Sequence, residues 1–111
     1  MLLIIGIAVM NACHHDPVIP TTPVTFEGDV KPIILNSCAR TGCHVAGGED
    51  PRLTSYKEVM EIVKAGKPQD SKLYEVITAL SGEDAMPPDG PLSNEQLRLI
   101  YIWILQGAKE K

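Results

Sequence analysis

Large ring side chains are scarce in this 111-residue chain: one Phe, one Trp and three Tyr make up only 5% of it. Phe26, Tyr56, Tyr74, Tyr101 and Trp103 are a thin supply of core fillers, and a chain of this length has room for one small domain. Domains of that size commonly recruit a disulfide, a metal or a cofactor, because their surface-to-volume ratio limits the apolar area they can bury. A run of Lys or Arg is also missing. With 14 acidic against 10 basic residues and a net charge of −4, the chain lacks the clustered positive charge that nucleic-acid phosphates reward. Nucleic acid is therefore excluded as a partner, which leaves proteins or membranes. No stretch alternates apolar and polar residues as a strand would, so the expected fold class is all-α. Internal repeats and low-complexity tracts are absent, and no apolar run reaches the about 20 residues that a bilayer-spanning helix needs.

What the amino terminus does hold is a short apolar run, Met1 to Met10 (MLLIIGIAVM), followed by Asn11, Ala12 and Cys13 and then by polar His14, His15 and Asp16. The run has the length of a signal-peptide core. A small residue directly before a cysteine at the end of such a run resembles the lipobox of bacterial lipoproteins, with Met10 where Leu is usual and no Lys or Arg ahead of the run. The resemblance implies cleavage before Cys13, acylation of Cys13, and an exported protein held by lipid at the periplasmic face of a membrane or at the cell surface. The competing reading is an ordinary signal peptide or a short buried helix with Cys13 as a thiol. Three cysteines in an exported chain leave one odd, and acylating Cys13 leaves Cys38 and Cys43 as a pair. From Pro17 to Pro23 the sequence is PVIPTTP, which favours an extended tether. The expected organisation is thus a signal segment over 1–12, a tether over 13–25 and one domain over 26–111.

Within that domain the spacing predicts about four short helices. The first runs from Asp29 to Ser37, with Val30, Ile33, Ile34 and Ser37 on one face and Pro32 tolerated in the first turn. The second is expected from an N-cap at Thr54 to about Ala65, with Tyr56, Val59, Met60 and Val63 facing inward and Gly66 as a stop. A third spans Ser71 to Leu80, preceded by Pro68 and capped by Asp70 or Ser71, with Leu73, Val76, Ile77 and Leu80 inward. The last begins at Ser93, which with Gln96 makes a capping-box pattern. Leu97, Ile100, Tyr101 and Ile104 follow at helical spacing until Gly107, and Leu99, Ile102 and Trp103 widen the stripe. Between them lie Gly- and Pro-rich loops, Val45 to Pro51 and Ser81 to Pro91, of a length that in small domains usually serves a function or wraps a ligand.

The chemistry is concentrated at the end of the first helix, in Cys38-Ala39-Arg40-Thr41-Gly42-Cys43-His44. In haem attachment two cysteines add across the porphyrin vinyl groups and the histidine after the second reaches the iron, so a Cys-His dipeptide with another Cys upstream is the minimal unit. Four residues separate the cysteines here rather than the usual two, with Gly42 available to let the longer link fold back. From the residues alone, a disulfide followed by an unrelated histidine fits equally well. A zinc site fits less well, because it wants four ligands and only His14 and His15 could supplement these three. Met86, in Ala85-Met86-Pro87-Pro88-Asp89-Gly90, offers a thioether in a proline-stiffened loop and so suits a second axial ligand; its blander reading is a loop methionine packed on the core. Met60, at core spacing in the second helix, reads as a wall residue.

The order of these elements resembles the class I cytochrome c family from Phe26 to Ala108. It is carried by Phe26 to Ile34 leading into Cys38 to His44, by Met86-Pro87-Pro88, and by Leu92 to Ala108 with Trp103-Ile104-Leu105-Gln106-Gly107-Ala108. The widened link between the cysteines is the departure. The resemblance implies a cytochrome c-like helical bundle around one covalent haem c, with Cys38 and Cys43 as thioether anchors, His44 as proximal ligand and Met86 as distal ligand. Met/His ligation raises the reduction potential and leaves no open position for a substrate. The expected activity is therefore electron transfer between redox protein partners, not catalysis. The haem propionates add negative charge, which suits a partner with a basic face. Arg40 and Arg52 could neutralise those propionates or be solvated, and Trp103 or Tyr101 could donate to one or simply pack.

Two alternatives from other classes remain at the level of sequence. One is a haem-free structural or binding lipoprotein with Cys38 joined to Cys43. The other is a haem domain whose Met86 is not bound, sensing or reacting with a small ligand, though the chain offers no further histidine in the domain for proton transfer.

Overall fold

The computed structural model describes residues 20–39, 43–45, 47–48, 51–79 and 85–111. The expectations placed on residues 1–12, Cys13, His14, His15, Arg40, Gly42 and Leu80 fall outside the described residues. The described chain is all-α: a π-helical turn (Phe26–Val30) runs directly into α1 (Lys31–Ser37), followed by α2 (Tyr56–Met60), a 3₁₀ turn (Pro68–Asp70), α3 (Lys72–Thr78) and α4 (Asn94–Leu105), with no strand among the described residues.

The first helical stretch starts earlier than its apolar spacing predicts, because Thr25 caps it. The Thr25 hydroxyl accepts from the Gly28 amide at 3.1 Å and the Asp29 carboxylate accepts from the Thr25 amide at 2.8 Å. The turn is wide, with the Val30 amide reaching back to the Thr25 carbonyl. It lies directly before Pro32, whose ring would crowd the Gly28 carbonyl in a regular α-helix.

Sequence spacing predicts α2 to Ala65, yet it stops at Met60. The amides of Ile62 and Val63 turn to carbonyls three residues back, and the Lys64 amide donates to the Ser71 hydroxyl at 2.9 Å. That hydroxyl is buried and also donates toward the Lys64 and Lys67 carbonyls, so a side chain seven residues ahead takes the place of the next helical turn. Ser55 rather than Thr54 is the N-cap, and α3 occupies Lys72–Thr78 after an N-cap at Ser71.

The last helix follows its sequence pattern closely. Both halves of the Ser93–Gln96 capping box form. At the other end the Ala108 amide donates to the Trp103 carbonyl at 2.8 Å and the Gly107 amide to the Ile104 carbonyl at 3.0 Å, which is a Schellman closure. Gly107 sits at φ +108° to make it.

The few rings are spent economically. Phe26 lies 5.4 Å from Tyr56 and 5.9 Å from Trp103, centroid to centroid, while Tyr74 and Tyr101 pair at 5.4 Å. Around the first group Val30, Ile34, Val59, Leu73, Ile100 and Ile104 are buried, each fully buried side chain contributing about 1.5–3 kcal/mol by transfer from water. The Tyr56 hydroxyl donates to the Ala108 carbonyl at 2.8 Å, so the start of α2 is tied to the chain beyond α4.

The end of the Pro-rich stretch lies against this body. Gln106 accepts from the Val24 amide at 2.8 Å, and its Nε2 donates to the carbonyls of Pro20 and Thr22 at 3.0 and 3.1 Å. One carboxamide thereby uses its acceptor and both donors on the incoming chain. Among the described residues no helix is long and apolar enough to cross a membrane.

Candidate functional site

Cys38 closes α1. Its amide and that of Ala39 both donate to the Ile34 carbonyl at 2.8 Å, and its side chain is buried among the core residues. From there the backbone doubles back, for the His44 amide donates to the Cys38 carbonyl at 3.0 Å. The wide spacing between Cys38 and Cys43 thus still brings His44 to the helix end where the first cysteine sits. Cys43 and His44 are half-buried, and both Cys38 and Cys43 are present as thiols, not as a disulfide.

Three contacts fix the histidine. Its amide is held by Cys38, its carbonyl accepts from the Leu53 amide at 2.8 Å, and its ring Nδ1 lies 2.7 Å from the Pro51 carbonyl oxygen. A carbonyl oxygen only accepts, so Nδ1 carries the hydrogen, and in the neutral ring Nε2 keeps its lone pair. A histidine whose Nδ1–H is committed to a backbone carbonyl is the arrangement in which Nε2 binds a metal.

Close packing also constrains Cys43. A Cβ on Gly48 would collide with the Cys43 carbonyl oxygen, and the Gly48 amide donates to the Val45 carbonyl at 2.9 Å. A tight turn therefore backs the second cysteine, and only glycine fits in it.

Met86 comes from a different element. Its amide donates to the Val76 carbonyl of α3 at 2.9 Å, it is half-buried, and it stands outside the apolar cluster, whereas Met60 packs against that cluster. The Met86–Pro87 peptide is cis. The loop beyond turns through a Gly90 amide bond to the Pro87 carbonyl at 3.2 Å.

Other side chains weighed from the sequence are engaged elsewhere. Trp103 is fully buried and its indole N–H donates to the Lys109 carbonyl at 2.9 Å, and Tyr101 faces Tyr74. Arg52 pairs with Glu58, Nε to Oε2 at 3.2 Å. Among the described residues no three His, Cys, Asp or Glu side chains gather as a cage for a bare metal ion; His14 and His15, the supplementary ligands of the zinc reading, lie outside them.

Comparison of the chain with protein-family models, with curated proteins and with solved structures returns no match. The donor types present are one imidazole whose Nε2 keeps its lone pair, one thioether on a separate element, and the two thiols that precede the imidazole in the chain. These are the side-chain types by which a haem c is held.

Sequence reasoning missed two residues of this site and one partner of Arg52 beside it. The Pro51 carbonyl is a backbone group that no motif announces. Gly48 reads as one of two adjacent loop glycines. Glu58, however, stands three residues after Ser55, a capping-box spacing that could have singled it out.

Proposed function

We propose that this chain is a monohaem c-type cytochrome, exported and lipid-anchored through Cys13, which passes electrons between redox proteins. The observation that carries the reading is the 2.7 Å contact from His44 Nδ1 to the Pro51 carbonyl, which leaves Nε2 as the ligand atom immediately after Cys43.

In this reading Cys38 and Cys43 would hold the group covalently, and His44 and Met86 would supply the ligands to its iron. Haem, when bound, supplies a one-electron iron couple. The residues of the chain do the rest. The Pro51 carbonyl makes His44 a better electron donor by polarising Nδ1–H. Cys38 belongs to the buried apolar cluster and would seat its thioether against it, and Met86 would supply the thioether ligand that leaves no position for water or a substrate. Electron exchange through such a site needs contact with a partner and no bound substrate.

The deciding experiment is expression in an exporting host with haem-maturation machinery, followed by haem stain on a denaturing gel and reduced absorption spectra for the parent, Cys38→Ala, Cys43→Ala and Met86→Ala. The reading requires stain that survives denaturation in the parent and is weakened or lost in the cysteine variants. It also requires a sulfur-to-iron charge-transfer band that is lost in Met86→Ala, as expected for Met/His ligation. A folded, colourless parent with Cys38 joined to Cys43, beside a control cytochrome that matures, establishes the disulfide-bonded lipoprotein instead.

A further inference from the structure

We infer that Glu58 is a positioning residue for His44, acting through the segment Pro51–Ser55; the inference rests on the haem reading where the reduction potential is concerned, and on the structure alone where the imidazole is concerned. One carboxylate gathers most of that segment. Its Oε1 accepts from the Thr54 hydroxyl at 2.6 Å, from the Ser55 hydroxyl at 3.1 Å and from the Thr54 amide at 3.2 Å, while Oε2 pairs with Arg52 Nε at 3.2 Å. The intervening Leu53 is buried, and its amide donates to the His44 carbonyl. Pro51, the first residue of the segment, presents its carbonyl to His44 Nδ1.

The segment is thus pinned from both sides. Leu53 fixes it to the core and to the His44 backbone, and Glu58 fixes its outer edge to α2. A surface ion pair of Arg52 with Glu58 alone would be worth little, since Arg52 is 58% exposed. The strength lies in four contacts converging on a carboxylate that is only 19% exposed, with charge-assisted bonds stronger than neutral ones. Loss of that anchor releases the Pro51 carbonyl from His44, and a histidine without its acceptor donates less to iron and stabilises the oxidised state less.

The test compares the parent with Glu58→Ala, Glu58→Gln and Thr54→Ala in two preparations of the full chain. In the haem-loaded protein, Glu58→Ala raises the reduction potential, Thr54→Ala raises it less, and Glu58→Gln, whose Oε1 still accepts from Thr54 and Ser55, stays close to the parent. In the haem-free chain, nitrogen-15 NMR of the His44 ring reports Nδ1–H directly. Its exchange with solvent speeds up by about tenfold in Glu58→Ala, the effect of losing one hydrogen bond, and recovers in Glu58→Gln. A chain that takes up no haem sinks the cytochrome reading, while the ring measurement still decides the role of Glu58. Unchanged ring exchange, or an unchanged potential, in a Glu58→Ala protein that is merely less stable reduces Glu58 to a helix cap and overturns the inference. Should Glu58→Ala fail to fold, Thr54→Ala carries the same comparison.

Discussion

The carbonyl oxygen of Lys109 accepts two hydrogen bonds at 2.9 Å, one from the indole of Trp103 and one from the amide of Phe26. A single acceptor with two lone pairs therefore joins α4, the chain that follows it and the first helical turn. The two ends of the domain are locked at one atom. Trp103→Ala, which also empties the space beside Phe26, is expected to cost about 3–5 kcal/mol. Trp103→Phe keeps most of the apolar contact but loses the indole bond, for about 1–2 kcal/mol. Urea denaturation of both variants measures the difference; a Trp103→Phe protein as stable as the parent would show that the indole N–H contributes nothing.

Gly48 and Gly47 stand side by side but answer to different constraints. Gly47 needs a positive φ of +78° with open space around it, whereas a Cβ on Gly48 runs into the Cys43 carbonyl. Gly47→Ala is expected to cost about 1 kcal/mol of backbone strain without changing haem attachment. Gly48→Ala is expected to displace Cys43 and, under the proposed haem reading, to lower the yield of doubly attached haem. Mass spectrometry of peptides that contain Cys38 and Cys43, read for haem on each cysteine, separates the two behaviours.

Glu58 also sets an acid limit. Its carboxyl is held below the usual carboxylate range, first by the Thr54 hydroxyl and then by Ser55 and Arg52, against an opposing push from burial. Because folding lowers this pKa, its stabilising effect is complete above the ordinary value of 4.5 and fades as the pH falls through the folded value. Between pH 7 and pH 3 the parent should lose more stability than Glu58→Gln, whose amide does not titrate. Denaturation midpoints across that range give the comparison, and parallel curves would remove Glu58 as a source of acid sensitivity.

Gln106 makes a separate prediction about the incoming chain. Gln106→Ala removes the acceptor of the Val24 amide and the donors to Pro20 and Thr22, while the Phe26 amide keeps Lys109. Hydrogen exchange at Val24 should rise by about tenfold, the equivalent of one hydrogen bond, with Phe26 unchanged. A rise at both would mean that the whole end of α4 has loosened.

How far the sequence could be read varies with how local the cause is. The capping box of Ser93 and Gln96 and the stop at Gly107 act within their own helix, and both were legible. The early end of α2 was not, because it depends on Ser71 reaching the Lys64 amide from a later turn. The sequence reading starts the first helix at Asp29, and its earlier start rests on the Thr25 cap and on the bond from the Thr25 amide to the Asp29 carboxylate, which the sequence does not announce. In the candidate site the order Cys38, Cys43, His44 carries the chemistry openly. The Pro51 carbonyl that orients His44 is supplied by chain folding, and no side-chain pattern encodes it.

The hold of Gln106 on Pro20, Thr22 and Val24 also limits how far the domain can roam. With acyl chains on Cys13, only the seven residues 13–19 span the gap between lipid and the first bonded carbonyl, a reach of at most about 25 Å even at full extension. Released as far as Phe26, the same leash would reach nearly twice as far. Under the proposed acylation of Cys13, a domain on so short a leash would patrol a thin layer above the lipid surface and would meet carriers confined to that layer at a far higher local concentration than those dissolved in the surrounding fluid.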